Sequence, residues 1–237
     1  MIGIGIISGI MIVTAFLTAA FYVNERRVIA TIAKTVSSLG FMLIAFIALS
    51  KNIDALDSVN DLADLKYGMM MLTGLTLCLV GDIFLMIKEL FTDRTANLYL
   101  LLGVGSFAIA QILFAIRFIM YADRFVYWLL PIILIAPAIL LVSHKANIIK
   151  LEKTASGLIA YSVIIGFTTV CALNLVIVNP SDRSVTLLVA LVAFMLSDTA
   201  LCYTYYGRSV TLRRVLNYVV MILYYIATIL LAYSILL

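Results

Sequence analysis

Apolar residues fill this chain in long runs, and polar residues gather in short clusters between them. Eight apolar runs stand out: residues 2–23, 28–50, 67–87, 97–120, 124–143, 154–178, 184–206 and 214–236. An α-helix rises about 1.5 Å per residue, so roughly 20 residues cross the ~30 Å hydrocarbon core of a bilayer. Each run is about that long. Polar or turn-forming clusters separate them: Asn24 to Arg27, the stretch 51–66, Lys88 to Arg94, Ala122 to Arg124, His144 to Lys153, Asn179 to Arg183 and Arg208 to Arg214. Backbone that leaves water must satisfy its own hydrogen bonds, which a helix does. The pattern predicts an all-α, polytopic integral membrane protein, a bundle of eight transmembrane helices in one domain spanning residues 1–237. The fifth run is the least regular. It holds Pro131 and Pro137 and begins at Tyr127 and Trp128, an aromatic border typical of a membrane interface. Within 51–66, Ile53, Leu56, Val59, Leu62 and Leu65 recur every third position, with Asp54, Asp57, Asp61 and Asp64 between them. That spacing predicts a short helix lying in the interface. A calcium loop would need a tight glycine turn, and this stretch has no glycine.

Composition agrees with the runs. The chain has 237 residues, 65% hydrophobic and 12% charged, against about 25% charged in soluble domains. A net charge of +4 from dispersed residues gives no nucleic-acid footprint. The three cysteines, Cys78, Cys171 and Cys202, fall inside predicted spans and form no closely spaced pair. With one histidine, His144, in a loop, no His-based metal site is expected. The N-terminal run lacks a basic leader and is long for a signal peptide, so it is expected to be a retained first helix.

Lysine and arginine suggest orientation. The odd connections carry Arg26, Arg27, Lys88, Arg94, Lys145, Lys150, Lys153, Arg208, Arg213 and Arg214. The even ones carry Lys51, Lys66, Arg117, Arg124 and Arg183. Positive residues favour the cytoplasmic side, so the odd connections are expected there and both termini outside.

Ionisable residues inside the spans carry the candidate chemistry. A charge at the centre of a membrane helix costs roughly 2.5–3.5 kcal/mol on insertion scales, so such residues mark function by default. Asp82 follows Gly81 in the third run, Asp198 follows Ser197 in the seventh, and Lys34 opens the cluster Lys34-Thr35-Val36-Ser37-Ser38 in the second. Counted from the odd-connection side, they lie about 9, 15 and 9 Å deep, all in one half of the bilayer. Two ionised carboxylates beside one ammonium leave a net negative charge in a low dielectric. One aspartate is therefore expected to hold a proton while Lys34 keeps the other ionised, which makes an acid/base pair. The residues alone do not say which is which. Gln111 in the fourth run, Tyr161 and Asn174 in the sixth, and Tyr218, Tyr224 and Tyr225 in the eighth are further polar candidates. Such side chains also serve as interhelical hydrogen bonds. Gly103-Val104-Gly105 follows no strand and is expected to permit close helix packing.

Leu79-Val80-Gly81-Asp82-Ile83-Phe84-Leu85 and Phe194-Met195-Leu196-Ser197-Asp198-Thr199-Ala200-Leu201 resemble the two signatures of the lysoplasmalogenase (YhhN-like) family. Lys34 matches that family's second-helix lysine, and Tyr224-Tyr225-Ile226-Ala227 resembles its final tyrosine motif. The resemblance covers nearly the whole chain. Three positions depart from the family pattern: Thr35 replaces a proline, Gln111 a frequent histidine and Thr228 a frequent glutamine.

The resemblance implies hydrolysis of the vinyl ether bond of a lysoplasmalogen to a fatty aldehyde and a glycerophospho-base. Asp82 and Asp198 would be catalytic, with Lys34, Gln111, Tyr161, Asn174, Tyr224 and Tyr225 binding substrate or setting the field. It implies a lysophospholipid substrate, the lipid bilayer as partner, no metal, no other cofactor and no nucleic acid, in a bacterial cytoplasmic membrane. Nothing in the sequence sets an oligomeric state. Two other classes suit a membrane chain with buried ionisable residues: a proton-coupled transporter and a non-catalytic lipid-binding protein. An intramembrane aspartyl protease would need Gly-x-Gly-Asp, and Leu79 occupies the first glycine position.

Overall fold

The computed structural model describes residues 2–24, 26–54, 59–91, 94–150 and 155–237. It contains α1 (Ile2–Val23), α2 (Arg27–Asp54), α3 (Val59–Lys88) and α4 (Arg94–Tyr121). A 3₁₀ segment (Tyr127–Leu134) then leads into α5 (Ile135–Lys145), followed by α6 (Ala155–Val178), α7 (Asp182–Tyr206) and α8 (Val210–Tyr233). A last 3₁₀ turn spans Ser234–Leu236. Among the described residues, eight segments are long and apolar enough to cross a membrane. The protein is thus a multi-pass helical membrane bundle.

Helices α1, α2, α3, α4, α6, α7 and α8 form a closed ring, each packed on the next, with α8 returning to α1. Helix α8 also touches α2 and α3 across the ring. The fifth span lies outside, against α6. Helix faces sort accordingly. On α2, Val28, Ile32, Val36, Leu39, Leu43 and Phe46 are exposed at helical spacing, a stripe suited to lipid. Ala30, Ser37, Phe41, Ile44, Ala45 and Ala48 on the same helix are buried. Small residues let backbones approach. A Cβ on Gly74 would stand 2.2 Å from the Phe114 ring, and one on Gly103 would stand 3.2 Å from the Gly81 carbonyl oxygen. Gly103 therefore has the expected packing role, whereas Gly105 faces open space.

Two predictions need correction. Residues 51–66 do not form a separate interfacial helix. Helix α2 runs on to Asp54 and α3 starts at Val59, so this stretch extends two membrane helices, while residues 55–58, with Leu56 and Asp57, lie outside the described residues. With 28 and 30 residues, these helices are longer than a bilayer core requires. The three-residue apolar spacing fits a helix equally well when it continues a span. The fifth span, secondly, is not one α-helix. Pro131 removes an amide donor, and its first eight residues are 3₁₀. Helix α6 accommodates this backbone at Gly166, where a Cβ would sit 2.7 Å from the Ile133 carbonyl oxygen.

The two ends of the ring differ. At the even-connection end, Arg183 donates to Asp64 Oδ1 (2.7 Å) and to the Tyr121 hydroxyl (3.0 Å). The guanidinium groups of Arg117 and Arg183 lie 4.8 and 4.7 Å from the rings of Tyr121 and Tyr67 respectively. The Tyr67 hydroxyl meets Ser234 Oγ at 2.6 Å. These contacts bind α3, α4, α7 and the last turn into a solid plug. At the odd-connection end, the chain after α5 pairs with the chain after α7: Lys150 donates to the Tyr206 carbonyl (2.9 Å) and Arg208 to that of Ile148 (3.1 Å). Asn147 turns the chain there with φ 61°, a left-handed conformation that asparagine tolerates. Between these connections and the ring centre lies a cavity.

Candidate functional site

Three helices bring the first charges together. Lys34 stands two turns into α2, Asp82 in the second half of α3, and Tyr224 midway along α8. Lys34 Nζ lies 3.0 Å from Asp82 Oδ1, with both side chains almost wholly buried. Asp82 Oδ2 accepts from Ser38 Oγ (2.7 Å) and from the Tyr224 hydroxyl (2.7 Å). Each carboxylate oxygen thus has a donor, and one donor is an ammonium. A buried charge is tolerable only with such pairing. Ser38 follows Lys34 by four residues, so both project from one face of α2. The Tyr225 hydroxyl donates to the Lys34 carbonyl oxygen (3.0 Å) and lies 3.1 Å from Ser38 Oγ, so it fixes α2 rather than touching a carboxylate.

Asp198 has different surroundings. The Tyr161 hydroxyl of α6 donates a hydrogen bond to its Oδ2. No other hydrogen bond or ion pair ties its carboxyl among the described residues. Its side chain is partly accessible, whereas Asp82 is 1% exposed. Next to it, Ser197 donates to the Val220 carbonyl oxygen (3.1 Å), which pins α7 to α8 at the depth of the site.

Lys34, Asp82, Asp198 and Tyr224 all line one cavity of about 330 Å³. That is enough for a small ligand or part of a lipid. Phe107 forms part of its wall and meets Phe194 and Tyr224 edge to face at 6.1 and 6.0 Å. A Cβ on Gly81 would stand 2.8 Å from the Phe107 ring, so glycine before Asp82 lets this ring press against α3. Lys88, Glu89, Tyr205 and Arg213, at the odd-connection ends of their helices, line the mouth. A second, apolar cleft branches off between α4, α6 and α7. It shares Leu85, Phe107, Asp198, Leu201 and Tyr205 with the cavity and adds Leu100, Val104, Leu158 and Tyr161. Asp198 stands where the two spaces meet.

The structure separates other candidates from this site. Gln111 is completely buried, lines neither space, and its side-chain nitrogen and oxygen have no hydrogen-bond partner among the described residues. Asn174 accepts from the Val126 amide (2.8 Å) and donates to the Arg124 carbonyl (3.0 Å), so it anchors the entry to the fifth span. Tyr218 packs on Phe16 of α1. Thr35 donates to the Thr31 carbonyl and to Met86 Sδ, and Thr228 donates to the Tyr225 carbonyl. Sequence reasoning did not single out Ser38, whose signal was its four-residue offset from Lys34. The mouth residues looked like ordinary loop charges. Among the described residues, no three His, Cys, Asp or Glu side chains converge to hold a metal ion.

The YhhN family profile matches residues 29–235, nearly all of the cavity-bearing ring. No curated protein and no solved structure matches the chain. With eight membrane helices and a match over most of its length, this chain belongs to the YhhN family, the lysoplasmalogenase-like family.

Proposed function

We propose that the protein hydrolyses the vinyl ether bond of lysoplasmalogens, with Asp198 as proton donor and Asp82 as the fixed negative charge. The observation that carries this reading is the asymmetry of the two carboxyls on one cavity. Asp82 accepts from Lys34, Ser38 and Tyr224, so three donors, one of them an ammonium, stabilise its negative charge. Asp198 has one donor, on Oδ2, and its other oxygen is free to carry a proton into the cavity.

The chemistry follows in balanced steps. Asp198 gives its proton to the vinyl carbon remote from the ether oxygen. The double-bond electron pair forms the new C–H bond, leaving an oxocarbenium ion, and Asp198 becomes a carboxylate. Asp82 opposes the cation electrostatically in a poorly hydrated site. Water then adds to the cationic carbon, and Asp198 takes the proton that water loses. The resulting hemiacetal cleaves its bond to the glycerol oxygen. Asp198 returns the proton to that oxygen, and the hemiacetal hydroxyl proton passes back to Asp198 as the aldehyde forms, which restores the starting acid. The cavity, with Asp198 on its wall, suits the polar head and the reacting vinyl ether.

If the odd connections face the cytoplasm, as their Lys and Arg excess suggests, the cavity takes substrate from the inner leaflet. The test is incubation of purified protein with lysoplasmenyl-ethanolamine in deuterium oxide. The expected product is a fatty aldehyde with one deuterium on the carbon next to the carbonyl, found by mass spectrometry. No aldehyde above a protein-free control would refute the reading.

A further inference from the structure

Among the described residues, Arg213 is the cavity cation without an ion-pair partner. Of the three cations lining the cavity, Lys34 is paired with Asp82 (3.0 Å) and Lys88 with Glu89 (2.9 Å). Arg213 makes no ion pair with any described residue, and its buried Nε has no hydrogen-bond partner. With Asp198 carrying the proton it donates, the described lining residues comprise three cations and two anions, a net charge of one positive unit. A low-dielectric cavity with that balance favours a singly charged anion. A phosphodiester carries one negative charge.

The geometry gives that anion a place. Arg213, Asn217, Val220, Met221 and Tyr224 line the cavity from one face of α8. This face runs from the mouth down to the hydroxyl that holds Asp82. Asn217 lies one turn below Arg213 and adds an amide donor beside the guanidinium. Lys88 stands at the mouth on α3, its ammonium 3.6 Å from the Tyr205 ring centre. A planar guanidinium offers two parallel donors to phosphate oxygens.

We propose that Arg213, with Asn217 and Lys88, forms a phosphodiester subsite. It holds the head of a lysophospholipid at the mouth of the cavity that Asp82 and Asp198 line. This inference rests on the lysolipid reading above but needs no bond cleavage. It makes Arg213 a specificity-determining residue, separate from the proton-transferring pair. Arg208 and Arg214 do not line the cavity.

The test measures binding to the full-length protein in detergent. The probe is a saturated alkyl-ether lysophosphatidylethanolamine, which has no vinyl bond to cleave. The matching alkylglycerol lacks the whole phosphoethanolamine head, and inorganic phosphate, which carries no ammonium, is the third probe. Wild type should bind the phospholipid at least about tenfold more tightly than the alkylglycerol, a difference of about 1.4 kcal/mol. Arg213→Gln should lose that preference while still binding alkylglycerol, which also shows that it is folded. Arg213→Lys should keep part of the preference, and Arg214→Gln all of it. An Arg213→Gln protein with the wild-type preference would overturn the proposal, as would a wild type with none. If inorganic phosphate binds as tightly as the lipid and depends on Arg213, the site serves free phosphate and the headgroup assignment fails. A protein that passes this test but releases no aldehyde keeps the subsite and loses the hydrolase reading.

Discussion

The two ends of the ring are built from similar residues to opposite effect. The even-connection end joins Asp64, Arg117, Arg183, Tyr67 and Tyr121 in direct contact, and none of these residues lines the cavity or the cleft beside Asp198. The odd-connection end holds Lys34, Asp82, Asp198, Arg213 and Tyr224 around an open space. Where cations stack on rings and donate to a carboxylate and a hydroxyl, they close a bundle. Where Lys34, Lys88 and Arg213 are spread over α2, α3 and α8 around a cavity, they leave room for a ligand. Substitutions at the packed end should therefore cost stability, and substitutions at the hollow end should cost turnover.

The largest expected effect is at the hollow end. Asp82→Asn keeps the shape of the carboxylate but removes its charge, and turnover should fall by roughly 10²–10⁴-fold. Combining it with Asp198→Asn should cost little more than the worse single variant, because groups acting as a unit are not additive. Rates of the two single variants and the double variant test this. Additive losses would mean that the aspartates act independently.

Lys34→Met comes next and blurs the comparison in an informative way. It leaves Asp82 buried without its ammonium, so it should lower stability by about 3–5 kcal/mol as well as turnover. Thermal unfolding in detergent, read together with kcat, checks both. Unchanged melting would mean that the Lys34–Asp82 contact is not a buried ion pair.

Arg183→Gln should show the converse. It removes a cation–π contact and its hydrogen bonds, worth about 1–2 kcal/mol, partly offset because Asp64 is 44% exposed and well hydrated. Melting should drop while turnover stays at the wild-type level. A large loss of turnover would connect the plug to the site and break the contrast. Asn174→Ala should cost the least, about 1–2 kcal/mol, because it leaves the Val126 amide and the Arg124 carbonyl without their partner. Its expected readout is earlier unfolding at unchanged kcat.

Much of this was legible in the sequence. Eight apolar runs sufficed for eight spans, because the bilayer sets both their length and their composition. Asp82, Asp198 and Lys34 stood out because an ionisable side chain is expensive inside a membrane, and all three line one cavity. Less expensive residues were ambiguous. Asn174 and Gln111 are as polar as Ser38, yet Asn174 holds a turn, Gln111 lies apart, and Ser38 touches Asp82. Periodicity tells which residues share a face but not which helix that face meets. Arg213 was hidden for another reason: a charge beside a loop normally faces water, and only the packing of α8 in the ring shows that this one lines a cavity. Residues 51–66 misled because an apolar repeat of three suits an interfacial helix and the tail of a longer span alike.

One measurement goes to the centre of the account: fatty aldehyde release from lysoplasmenyl-ethanolamine by purified wild type and Asp198→Asn, side by side, with melting temperature as the control for folding. The account predicts steady release by wild type and almost none by Asp198→Asn at similar melting temperature, since an amide offers no acidic proton to the vinyl carbon. Wild-type rates from the Asp198→Asn protein would contradict it.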